Sequence, residues 1–154
     1  VLPAEAKTMN AEHPPDFHAW LVRTARLLRE HRWDELDAEQ LAEEVEDLSK
    51  SERRGVSSQL TRLLLHLLKW RFQPQRRSDS WLDSIADARL QLQLALDDSP
   101  SLRGYPAEQL AVCYHKARRA AARQTGLAPE RFPEQCPFSL DDVLNEDWLP
   151  DAAD

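Results

Sequence analysis

The 154 residues, 42% hydrophobic and 31% charged, can bury one core without disulfide staples, and the excess of charge suits helices with one apolar stripe and a solvated opposite face. Only 3 Gly, with 5 Trp, 2 Tyr and 4 Phe, argue against a β-sandwich, and apolar runs such as Leu63 to Leu65 are far too short to span a bilayer. The formal net charge of −7 disfavours nucleic acid and anionic membranes as partners.

No charged-then-apolar leader opens the sequence, and Cys113 and Cys136 form no disulfide framework. The expectation is a cytoplasmic protein with two reduced thiols. Residues 1–15 read as a lead-in segment, and 16–150 as a single helical-bundle domain.

Pro14-Pro15 ends the lead-in, and Asp16 is placed to cap a first helix from Phe17 to about His31. Phe17, Trp20, Leu21, Thr24, Leu27 and Leu28 fall on its inner face at helical spacing. Asp37 with Gln40 three residues on is a capping-box pattern that starts the longest element. Its stripe runs through Leu41, Val45, Leu48, Val56, Leu60, Leu63, Leu64, Leu67 and Trp70, to roughly Phe72. Within it, Gly55 and the stripe position Glu52 predict a kink, a close backbone approach or a tolerated weak point, with Glu52 a candidate for an ion pair inside the bundle.

Pro74 stops that helix, and Ser80 with Asp83 predicts the cap of a third, whose inner face is Trp81, Leu82, Ile85, Ala88, Leu92, Ala95 and Leu96. After a link over Asp97 to Pro106, a fourth helix is predicted from about Ala107 to Thr125. Its inward positions are Leu110, Ala111, Tyr114, Ala117, Ala120 and Ala121, and Gly126 is its stop. Pro129, Pro133 and Pro137 break the next stretch, and Ser139 with Asp142 caps a last short helix over Leu140 to Leu144. The expected fold is all-α: an antiparallel bundle of four main helices plus a short C-terminal helix.

The segment Leu63-Leu64-Leu65-His66-Leu67-Leu68-Lys69-Trp70, with Gln73-Pro74-Gln75-Arg76-Arg77-Ser78 and Ser80-Trp81 after it, resembles the bacterial family of domain of unknown function 29. Phe17 to Leu21, Leu41 to Glu46 and Phe132 to Phe138 agree, so the resemblance covers about Asp16 to Pro150. It implies an all-helical fold and supplies no catalytic residue.

The densest polar constellation is His66, Lys69, Arg71, Arg76, Arg77 and Ser78, bracketed by Trp70 and Trp81. Guanidinium forks grip phosphate or carboxylate two bonds at a time, and indole faces stack on bases or cations. The candidate ligand site is therefore His66, Lys69, Trp70, Arg76, Arg77, Ser78 and Trp81, all at one end of the bundle. The competing reading is a structural corner whose arginines pair with acids. Lys116, Arg118, Arg119 and Arg123 form a second basic run.

His18, His66 and His115 stand on three helices, and their convergence would suit zinc or nickel, but spacing cannot decide it. No Glu-x-x-His pairs exist for a di-iron centre, and Gly55, Gly104 and Gly126 make no phosphate loop. Neither metal nor cofactor is expected. Cys136 reads as part of a packed loop and Cys113 as a small buried hydrophobe. The favoured function is a noncatalytic protein-interaction or regulatory module, acting on a protein partner or by self-association. The alternative is a small-anion or nucleotide-binding protein, or an enzyme, using the His66–Trp81 region.

Overall fold

Side-chain caps set where the helices begin. The structure, a computed structural model, describes residues 14–154, so the expected lead-in lies outside the described residues save for Pro14 and Pro15. The described residues divide into two compact units, one up to Val45 and one over Glu46–Asp154.

In the first unit, Asp16 accepts from the Ala19 amide at 3.0 Å and opens α1, Phe17–Arg29, in which Thr24 and Leu27 are buried. His31 takes a left-handed φ of 56°, and Arg32 pairs with Glu30 and Glu35 across the following 3-10 turn, Trp33–Glu35. Asp37 accepts from the Gln40 amide at 3.0 Å and starts α2, Ala38–Phe72. The Gln40 side chain donates instead to Glu44, 3.0 Å away, a contact one turn down the helix where the capping-box pattern predicted a return to the cap.

The 35 residues of α2 form one unbroken helix about 52 Å long. From Val56 onward its stripe is sealed: Val56, Leu60, Leu63, Leu64, Leu67 and Leu68 have no solvent exposure. Before Val56 the expected stripe is half-buried at Leu41 and open after it, with Val45 57% and Leu48 68% exposed. Glu52 is exposed too, and so is not inside a bundle. A Cβ at Gly55 would meet nothing within 4 Å, which excludes a close backbone approach there.

In the second unit Pro74 ends α2 through a 3-10 turn, Pro74–Arg76, and α3 follows over Asp79–Asp98. The cap is Ser78, two residues before the expected Ser80, because Ser78 has the extended backbone that lets its Oγ accept from the Trp81 amide at 3.4 Å. A further 3-10 turn, Pro100–Leu102, leads to α4, Tyr105–Thr125, which Gly126 ends at a φ of 72°. Pro106 fits inside the first turn of α4 because that turn needs no donor from it, so the helix starts two residues earlier than expected. Ala111 is exposed and Ala120 half-buried, and Cys113 packs inward instead. The last helix, α5, Leu140–Leu144, is capped as predicted, Ser139 Oγ accepting from the Asp142 amide.

The directions of the helices follow from cross-contacts. Arg62 meets Asp87 and Lys69 meets Trp81, so α3 runs antiparallel to α2. Cys113 bonds to Ser57 and Lys69 to Gln124, so α4 runs parallel to α2. Their shared core is Leu60, Leu64 and Leu67 against Ile85, Leu92, Tyr114 and Ala117. The segment after Gly126 closes it with Phe132, Phe138 and Val143, Phe132 meeting Phe72 edge-on at 5.1 Å. The described chain is thus all-α, with four long helices, a short fifth and no strand among the described residues.

Candidate functional site

The end of α2 and the start of α3 bring the basic-aromatic residues into two cation–indole pairs. Arg77 lies over the Trp70 ring at 4.5 Å and donates through Nε to the Trp70 carbonyl at 2.9 Å. Lys69 Nζ sits 4.8 Å from the centre of the Trp81 ring and donates to Gln124 Oε1 at 3.2 Å. Burial holds the Lys69 ammonium below the usual lysine range. A cation over an indole is worth roughly 0.5–2 kcal/mol, so these pairs fasten α2 to α3 and the turn before it, while the Lys69–Gln124 bond ties α2 to α4.

The other members stand apart from one another. Ser78 caps α3, and Arg76 lies exposed on the turn. His66 is half-buried, with Nδ1–H donating to the Arg62 carbonyl at 2.8 Å within its own helix. Burial, with Lys69 and Arg62 adding to it, lowers the His66 pKa and keeps the ring neutral. Among the described residues the ion pairs are Arg62–Asp87, Lys50–Asp47 and those of Arg32, so none joins Arg76 or Arg77 to an acid. For Arg77 the acid pairing expected of a structural corner is replaced by pairing with an indole and a carbonyl.

On α4, Arg118 donates to the carbonyls of Phe132 at 3.1 Å and Pro129 at 2.9 Å, pinning the loop that follows Gly126. Lys116, Arg119 and Arg123 are left as an exposed basic stripe beside two shallow depressions. His115 is exposed, and no group of three or more His, Cys, Asp or Glu among the described residues is placed to hold a metal ion. Both cysteines are free. Cys136 Sγ donates to the Phe138 carbonyl at 3.4 Å, and burial pushes its thiol up, away from the thiolate that nucleophilic chemistry needs. Desolvation likewise pushes Tyr114 up to about 12 while its hydroxyl donates to the Pro133 carbonyl.

The feature that sequence reasoning missed is on α3. Arg89 is buried in the inner face, between Ala88 and Leu92 of the predicted stripe. Its Nε donates to the Val143 carbonyl and one terminal nitrogen to the Trp148 carbonyl, both at 2.9 Å, with longer bonds to the carbonyls of Asp142 and Glu146. A guanidinium here satisfies the free carbonyls at the end of α5 and meets the negative end of its dipole.

Held in this way, the C-terminal segment forms one wall of a groove whose other wall is α3. Two depressions of about 490 and 330 Å³ share Arg89, Gln93 and Leu144, and together reach from Leu82 to Asp97. Leu90 is 54% exposed and Leu149 38%, while Leu94, one turn beyond Leu90, is 48% exposed. Glu146 and Asp147 edge the larger depression. The signal was present in the alternation Leu90, Leu92, Leu94, Leu96. Two residues advance a helix by about 200°, so such a run is apolar on two sides, and one core covers only one of them.

Among the described residues no helix is long and apolar enough to cross a membrane. No curated protein and no solved structure matches the chain. The family model described as "Domain of unknown function DUF29" matches residues 13–149, nearly all of the sequence, and the chain belongs to that family.

Proposed function

We propose that this chain is a noncatalytic protein-interaction module and that the α3 groove is its working surface. The observation that carries this reading is the exposed apolar shoulder Leu90–Leu94 beside an open groove, which the described residues leave uncovered. Apolar side chains scattered singly on a surface are ordinary, but a contiguous apolar channel with a polar rim is typical of docking sites. Two free thiols support work in a reducing compartment, the cytoplasm.

A photo-crosslinking residue placed at position 90 of the full chain, in its source cells, tests the reading. Discrete protein adducts are expected there and not from the same residue at exposed position 53. The absence of adducts at 90 above that control would overturn it.

A second reading, small-anion binding on the basic side, is supported by Lys116, Arg119 and Arg123 lining two depressions without an acid. Thermal-shift titration with inorganic phosphate and nucleotides separates the two. A stabilisation that saturates at micromolar ligand and is lost in Arg119→Ala would favour this second reading.

A further inference from the structure

The charge around the α3 groove is lopsided. Residues 139–154, which supply one wall, contain six acids and no Lys, Arg or His. Residues 79–98, which supply the other, contain five acids and one base, Arg89. That base is buried, and its donors are committed to the carbonyls around α5. Of the groove's lining residues, Glu146, Asp147 and Asp97 are acidic, and Arg103, at the Leu96 end, is the other base. Leu82, Ile85, Leu92, Leu96 and Leu144 line the groove beside Arg89 and Gln93, the polar residues that both depressions share.

Shape narrows the occupant further. The lining residues of α3 follow helical spacing from Leu82 to Asp97, a distance of about 22 Å, or four turns. A channel of that length beside a helix, lined by leucines and edged by acids, fits the stripe of a second helix with anchors at i, i+3 or i+4, and i+7. An extended strand would need an open sheet edge for its backbone hydrogen bonds, and α3 has none to offer because its amides are spent within the helix.

Resting on the interaction reading above, we infer that the groove takes a basic amphipathic helix of a partner protein, about four turns long. Its apolar stripe lies on Leu82, Leu90 and Leu144, and its Lys and Arg side chains face Glu146, Asp147 and Asp97. The acids steer the approach and reject acidic helices, and the leucines supply the buried area.

The test uses the full chain and two synthetic 16-residue helical peptides with the same leucine stripe, one flanked by Lys and Arg and the other by Glu at the same positions. Fluorescence anisotropy is expected to show saturable binding of the basic peptide and at least tenfold weaker binding of the acidic one, with the preference falling as salt rises. Leu90→Asp is expected to abolish binding. Asp147→Lys, alone and combined with Glu146→Lys, is expected to shift the preference toward the acidic peptide, with melting temperatures recorded to show that each variant folds.

Equal binding of both peptides, binding that survives Leu90→Asp, or no binding of either would each overturn the inference. So would light scattering that finds a dimer dissociated by Leu90→Asp, since the occupant would then be a second copy. Crosslinks at position 90 that persist while the peptides fail would mark a docking surface for a partner of different chemistry, so failure here is distinguishable from failure of the interaction reading.

Discussion

The basic-aromatic corner and the α3 groove are opposites in how their side chains are spent. At the corner most of the polar groups look free in sequence and prove occupied: Arg77 lies on Trp70, Lys69 on Trp81, and Ser78 caps α3, with Arg76 left exposed. Along α3, Leu90 and Leu94 fall outside the predicted inner face, and nothing among the described residues covers them: both stay near half exposure. A charged cluster beside aromatics can satisfy itself, whereas a surplus apolar stripe on a helix cannot. For a helical chain with no catalytic cluster, unspent apolar surface is therefore the better guide to a working face.

The largest effect that would sharpen this contrast concerns Arg89, which lines the groove and fastens its C-terminal wall. Arg89→Ala removes two bonds of 2.9 Å and strands the carbonyls of Val143 and Trp148. Urea unfolding is expected to show a loss of roughly 3 kcal/mol or more, because buried carbonyls without donors cost about 1–3 kcal/mol each. A loss below about 1 kcal/mol would mean that the C-terminal wall does not depend on this side chain.

Next in size is Arg77→Ala, which deletes both the cover of Trp70 and the bond to its carbonyl. About 1–2 kcal/mol of destabilisation is expected by the same measurement. An unchanged stability, with loss of binding to phosphate or a nucleotide, would turn the corner back into a ligand site.

A smaller effect is expected from His66. Its folded pKa lies below the ordinary value, so the unfolded chain binds the proton more readily. Stability contributed by the neutral ring is complete above the ordinary value near 6.5 and is lost as pH falls toward the folded value. His66→Gln should flatten the stability-against-pH curve below pH 6.5, as read by thermal melts across pH 5 to 8. A curve that keeps its slope would place the acid sensitivity elsewhere.

Much of the fold was legible because local chemistry decides it. Asp16, Asp37 and Ser139 cap the helices they were expected to cap, and Gly126 ends α4. The cap of α3 was misplaced because Ser78 and Ser80 both offer a hydroxyl, and backbone geometry chose between them. The open first half of the α2 stripe was not legible, because periodicity shows which residues share a face and not whether anything covers it. Arg89 escaped notice for a related reason. Its partners are carbonyls more than fifty residues away, and carbonyls carry no sequence signature.

The contrast is tested most directly by one pair of melting temperatures, for Leu90→Asp/Leu94→Asp and for Lys69→Ala/Arg77→Ala. Exposed substitutions that touch no buried group usually change stability by less than about 0.5 kcal/mol. The account predicts that the leucine variant melts within about 2 °C of the parent, while the corner variant falls by several degrees. A leucine variant that loses several degrees, with a corner variant that loses none, would contradict it: α3 would then be packed on its outer side and the corner would be the free surface.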